Sequence, residues 1–140
     1  MNKQDTTKEA DTNTAIAISA DGYTVATGYR SGKIQIWDLK TEKELLTFTA
    51  HREEISCLLF SHDNKVLFSG STDKRIKLWD PFKGVKIRSF RAHRGKVTTL
   101  ALNDEGTLLA SGSSDKKIRI WDITQNLKKN HELKKHKDVV

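Results

Sequence analysis

The sequence predicts an all-β fold made of repeated sheets of four antiparallel strands, three complete repeats and the start of a fourth. Three observations carry this. Trp37, Trp79 and Trp121 fall 42 residues apart, and Gly28, Gly70 and Gly112 keep the same interval. A fixed period of this length marks a repeat architecture and decides the fold ahead of any local reading. Short strand signals recur at even spacing with turn residues between them. Several of these strands are nearly continuous apolar runs, such as Cys57-Leu58-Leu59-Phe60 and Leu108-Leu109-Ala110. That is the pattern of strands covered on both faces.

Taken in order, residues 1–11 are polar and aperiodic and read as a tail or a poorly ordered edge strand. The first repeat, 12–50, has strands at Ala15 to Ile18, Tyr23 to Thr27, Lys33 to Trp37 and Leu45 to Phe48, with turns at Asp21-Gly22 and Ser31-Gly32. The second, 51–92, has strands at Ile55 to Phe60, Lys65 to Ser69, Arg75 to Trp79 and Val85 to Phe90. Its turns are His62-Asp63-Asn64, Ser71-Thr72-Asp73 and Asp80 to Gly84, and the only proline, Pro81, sits where no ladder hydrogen bond is needed. The third, 93–135, has strands at Val97 to Leu102, Thr107 to Ser111, Lys117 to Trp121 and Leu127 to Leu133. The last of these could pass for a polar helix, but its place in the period favours a strand. At 136–140, His136 opens a truncated fourth copy, one residue late. A four-stranded sheet covered on both faces must stack between two like itself, and radial stacking of such sheets is a propeller.

The residues that repeat most closely are Ser69-Gly70-Ser71-Thr72-Asp73 with Ile76-Lys77-Leu78-Trp79-Asp80, and Ser111-Gly112-Ser113-Ser114-Asp115 with Ile118-Arg119-Ile120-Trp121-Asp122. The first repeat offers Thr27-Gly28 and Ile34-Gln35-Ile36-Trp37-Asp38. Over about residues 12–140 the chain resembles a WD-repeat β-propeller. The resemblance implies a protein-interaction platform without catalytic chemistry and without a cofactor.

His51, Ser69 and Asp73, repeated as His93, Ser111 and Asp115, have the residue types of a nucleophilic triad, and a hydrolase is one alternative. Duplication argues against it, because a triad also needs a pocket and an oxyanion hole. The resemblance implies instead structural tetrads, His51/Ser69/Asp73/Trp79 and His93/Ser111/Asp115/Trp121, that tie turn to strand. A half-buried carboxylate needs donors, and a packed indole N–H needs an acceptor. The first repeat keeps only a partial tetrad, Thr27 and Trp37. Ser31 stands for the Asp and Glu9 for the His, so this repeat is expected to be less rigid.

Loop positions just after the tetrad His and just before the tetrad Asp are the candidate partner-binding residues. They are Arg52, Glu54 and Thr72, then Arg94, Lys96 and Ser114, with Arg30 as the equivalent in the first repeat. The partners expected are other proteins. Three complete periods fall short of the ~4–8 blades of a propeller, leaving two apolar sheet faces that require cover. The cover would come from the rest of a longer propeller, from self-association, or from a partner that completes the ring.

Charge supports a further alternative. Residues 1–73 carry 8 basic and 11 acidic side chains, whereas residues 74–96 carry 9 basic side chains against Asp80 alone. This band, with Lys128-Lys129 and Lys134-Lys135, could bind nucleic acid or an acidic partner. Much of it (Lys86, Arg88, Arg91) falls on an outermost strand, where basic residues also deter edge pairing, and aromatic residues for stacking are few. No membrane-length apolar run, secretory signal, phosphate loop or zinc spacing occurs, and His131 and His136 lack neighbouring ligands. The single cysteine, Cys57, excludes an internal disulfide and reads as an inert buried thiol. These features favour an intracellular protein, cytoplasmic or nuclear.

Overall fold

A computed structural model describes residues 10–124 and 128–134. The described residues form twelve strands. The first sheet contains β1 Asn13–Ile18, β2 Thr24–Tyr29, β3 Lys33–Asp38 and β4 Lys43–Thr49. The second contains β5 Ile55–Phe60, β6 Leu67–Ser71, β7 Arg75–Asp80 and β8 Val85–Arg91. The third contains β9 Val97–Leu102, β10 Leu108–Ser113, β11 Lys117–Asp122 and β12 Lys128–Lys134. Each sheet is an antiparallel meander in chain order. The sheets are the blades of an open, partial propeller.

The strands fall where the period places them, with small differences at their ends. The second strand of each sheet runs two residues further, to Tyr29, Ser71 and Ser113, because the first strand pairs with it there across a bulge. The polar stretch at the end is a strand, β12, with Ile118 opposite Leu133. One extra residue before it accounts for the shift against β8, where Ile76 faces Phe90.

The first strands β1, β5 and β9 lie next to one another, and the sheets fan outward from them. One core, including Ala26, Ile34, Ile36, Ile55, Phe60 and Trp79, fills the gap between the first and second sheets. A second, including Phe68, Ile76, Leu78, Val97, Leu109 and Trp121, fills the gap between the second and third. Each inner tryptophan meets an aromatic ring of the sheet before it, Phe48 with Trp79 at 4.9 Å and Phe90 with Trp121 at 4.7 Å between centroids. Every second-sheet strand except β8 is largely buried, as expected of the one sheet with a neighbour on both sides.

Bulges recur at two places. One precedes each tryptophan in the pairing of the third and fourth strands, at Ile36/Trp37, Leu78/Trp79 and Ile120/Trp121. The other lifts Thr14, Ser56 and Thr98 out of the ladder between first and second strands. A bulge re-aims a side chain, and these re-aimed hydroxyls cross between sheets. Thr14 Oγ1 donates to the Ile55 carbonyl and Ser56 Oγ to the Val97 carbonyl. Thr98 is exposed, on the sheet that no further described strand covers.

Candidate functional site

The polar residues singled out by the repeat meet inside the second and third sheets. His51, in the loop before β5, lies against the β6–β7 turn. Its Nδ1 is 2.8 Å from Asp73 Oδ2 and its Nε2 2.7 Å from Ser69 Oγ. Trp79 Nε1 donates to the same Ser69 hydroxyl at 2.9 Å. The third sheet repeats the arrangement, with His93 at 3.0 Å from Asp115 and 2.8 Å from Ser111, and Trp121 at 2.9 Å from Ser111.

The network fixes the tautomer. A carboxylate accepts only, so Nδ1 carries the proton toward Asp73, Nε2 accepts from the Ser69 hydroxyl, and that oxygen accepts from the indole. Burial lowers the His51 and His93 pKa values, against the opposing pull of the aspartates. Burial pushes Asp73 and Asp115 up, but their hydrogen bonds outweigh it and hold both below the usual carboxylate range. The imidazoles are therefore neutral and the carboxylates charged. Ser69 is 0% exposed and Ser111 1%, so no substrate reaches either hydroxyl.

The first sheet is wired differently. Trp37 Nε1 donates to Thr27 Oγ1 at 2.9 Å, and that oxygen lies 3.0 Å from the Tyr29 hydroxyl. Tyr29 donates to Gln35, and Gln35 Nε2 to Glu44 at 3.2 Å. Ser31 binds Asp11 through both its backbone N–H and its hydroxyl. Among the described residues this sheet shows no tetrad but has its own chain of hydrogen bonds, built by Tyr29 and Gln35. Sequence reasoning left Tyr29 outside the expected strand and took Gln35 as an ordinary strand residue. Glu9, suggested as the stand-in for His, lies outside the described residues, as does His136.

The loop candidates gather on one rim. The turn between second and third strands meets the loop entering the same sheet through backbone pairs, Arg30 N–H to Thr12 at 2.9 Å, Thr72 N–H to Glu54 at 3.1 Å and Ser114 N–H to Lys96 at 3.1 Å. Arg30, Arg52, Arg94, Lys96 and Ser114 are exposed there, and Glu54 and Thr72 half-buried. Thr72 Oγ1 donates to Glu53 at 3.2 Å, and Ser114 Oγ accepts the Lys96 N–H at 3.1 Å.

The basic band divides. Lys77 reaches back to the Ala50 carbonyl at 2.8 Å, as Arg119 does to Ala92 at 2.6 Å, so these two pin neighbouring sheets. Lys86, Arg88 and Arg91 stay exposed on or at the end of β8. Among the described residues no group of three or more His, Cys, Asp or Glu side chains could hold a metal, and His131 lies on β12 with its side chain exposed. Cys57 is half-buried, and burial pushes its thiol up to about 11. No helix among the described residues is long and apolar enough to cross a membrane.

Among the described residues, the outermost faces of the first and third sheets have no neighbouring sheet. On the first, Ile16 is 67% and Ile18 59% exposed, although Leu58 and Phe60 at the same places in the second sheet are buried. On the third, Ala101, Leu108, Ala110 and Ile120 line a shallow apolar depression of about 290 Å³.

The family model described as "WD domain, G-beta repeat" matches residues 9–38, 42–80 and 84–122. The U3 snoRNP-associated protein-like YAO of Arabidopsis thaliana is 40% identical over 48 residues, 34% of this chain and 10% of that protein. The human U3 small nucleolar RNA-interacting protein 2 is 47% identical over 45 residues, 32% of this chain and 10% of that protein. The aligned stretch thus spans about a tenth of these curated relatives. Among solved structures, the WD40 repeats of RRP9 superpose with a TM-score of 0.86 at 23% identity, covering 94% of this chain and 41% of that one. U3-55K gives the same score and identity, with 42% of its chain covered.

Proposed function

The chain belongs to the WD domain, G-beta repeat family, and on that premise we propose that it is a protein-interaction scaffold with no chemistry of its own. One observation carries the reading. The side chains with catalytic potential, His51, Ser69, Asp73 and their counterparts, spend their hydrogen bonds on each other inside the sheets. The loop side chains of the same repeats gather along one rim, five of the seven exposed and Glu54 and Thr72 half-buried. A rigid sheet bearing adaptable loops is the arrangement of a binding platform. The tetrads serve as braces, and Arg30, Arg52, Glu54, Thr72, Arg94, Lys96 and Ser114 form the contact rim. The relatives named for U3 small nucleolar RNA support a place in an intracellular, nuclear RNA–protein assembly.

The open faces of the first and third sheets are covered by further sheets of the same kind, from the same polypeptide, a second copy or another protein. Thr98 supports this, since its two counterparts each donate to a carbonyl of the next sheet. Light scattering with dye binding tests it. The isolated chain should associate or bind an apolar dye strongly, and a sharply folding 15.9 kDa monomer without dye binding would contradict it.

The scaffold reading is tested by affinity purification of the full chain from cells, comparing wild type with an Arg30→Glu/Arg94→Glu/Lys96→Glu variant. Loss of a defined partner set with unchanged thermal unfolding is expected. Unchanged partners, or ester hydrolysis abolished by Ser69→Ala, would overturn it.

A further inference from the structure

Because the sheets share one geometry, their charges can be compared position by position. In the third sheet, Glu132 of β12 sits 3.3 Å from Lys117 and 3.0 Å from Arg119 of β11. Arg119 faces Glu132 across the ladder, and in the second sheet Lys77 faces Ser89 at that place. A hydroxyl thus stands where its sister sheet has a carboxylate. Arg75, the counterpart of Lys117, gives its Nε–H to Ser89 Oγ at 2.9 Å, and Lys77 turns away to a backbone carbonyl.

Arg75 does not stand alone. With Arg52, Lys74 and Arg91, and with Glu53 and Asp73, it lines a cleft of about 310 Å³ on the loop rim. None of the four basic residues forms an ion pair among the described residues. Asp73 is already committed, with one oxygen to His51 and the other to the Arg75 backbone N–H at 3.0 Å. Glu53 accepts the Thr72 hydroxyl and is the remaining acid of the wall. Several unpaired cations around one concavity raise its potential and draw anions in. Arginine forks match carboxylates in bidentate geometry.

We propose that this cleft recognises an acidic peptide segment of a partner protein. The proposal rests on the scaffold reading above and names the chemistry of one partner. A carboxylate side chain fits an open cleft lined by four cations. A nucleic-acid strand fits it less well, because no aromatic ring lines it for base stacking and Glu53 would oppose a passing phosphate backbone.

The test is fluorescence anisotropy with the full chain, a labelled oligo-glutamate peptide, a length-matched oligo-glutamine peptide and an oligouridylate. Two variants are compared with wild type, Arg75→Gln/Arg91→Gln in the cleft and Lys65→Gln/Lys83→Gln in exposed turns elsewhere. The oligo-glutamate should bind, the neutral peptide should not, and the cleft pair should weaken binding by about tenfold or more with unchanged thermal unfolding. The control pair should leave it unchanged. Equal weakening by both pairs, no oligo-glutamate binding, or tighter oligouridylate binding lost with the cleft pair would each overturn the proposal. If cellular partners are still lost with the Arg30/Arg94/Lys96 variant in those cases, the scaffold reading stands and only the cleft assignment falls.

Discussion

Trp79 donates its indole N–H to the hydroxyl of Ser69, ten residues earlier in the chain and on the neighbouring strand, at 2.9 Å. That oxygen is completely buried and also serves His51. Ser69→Ala therefore strands two polar groups away from water and should cost about 1–3 kcal/mol, read as a lower urea midpoint. Ser69→Thr should cost less, because Thr27 already makes the same bond to Trp37 in the first sheet. A Thr variant as damaging as the Ala variant would mean that the hydroxyl is not what matters.

Acid should unfold the protein in two stages. The folded pKa values of His51 and His93 lie below their ordinary 6.5. Below 6.5 the unfolded chain binds protons that the folded one refuses, so this contribution is complete above 6.5 and is lost as pH falls through the folded values. Asp73 and Asp115 lie below their ordinary 3.8, and their contribution is present above 3.8 and lost on further acidification. Urea midpoints should fall from about pH 8 to about pH 5. A His51→Gln/His93→Gln variant should start lower and change less over that range.

Gly28 and Gly70 are sites of close approach. A Cβ at Gly28 would lie 2.5 Å from Ile55 Cγ2 and 2.8 Å from Ile55 Cβ. At Gly70 it would lie 2.5 Å from Cys57 Sγ and 2.8 Å from Val97 Cγ1. Gly28→Ala and Gly70→Ala should each cost about 1–3 kcal/mol by forcing neighbouring sheets apart. Adding Ile55→Ala to Gly28→Ala should recover only part of the loss, since the Ile55 Cβ remains. Gly112→Ala has one close contact, the Thr99 methyl at 2.9 Å, with Thr98 Oγ1 at an ordinary 3.8 Å, and should be milder in thermal unfolding.

Cys57 should report opening of the second and third sheets. With its thiol pushed up to about 11 by burial, little thiolate exists near neutral pH. Alkylation of the native chain should be slow and should accelerate with denaturant. Rapid labelling of the native chain would show that the second core is open to reagent.

The fold was legible because packing constraints recur once per sheet. Only glycine tolerates the approach at positions 28 and 70, and Trp79 and Trp121, each beside a bulge, fill the gap to the previous sheet. Both leave marks at a fixed interval. The polar networks were legible where the residue types repeated, as for His51 and His93. They were hidden in the first sheet, where Tyr29 and Gln35 do a related job with other atoms from other positions. Thr14, Ser56 and Thr98 kept the 42-residue spacing in plain view, but a hydroxyl in a strand means nothing until a bulge aims it. The difference between Ser89 and Glu132 could not be read at all without the register, because one inserted residue displaces β12 against its counterpart.

The family's sequence unit and the folded sheet are out of step. The matched segment 42–80 holds β4 of one sheet and β5, β6 and β7 of the next. A gene duplication that copies such a unit never copies a whole sheet. It supplies an outer strand to the neighbour behind and borrows its own outer strand from the neighbour ahead. Each new copy is thereby laced into both flanks by backbone hydrogen bonds. Loss of a terminal unit is different: without 84–122 the second sheet would lose β8 and be left with β7 as a raw edge.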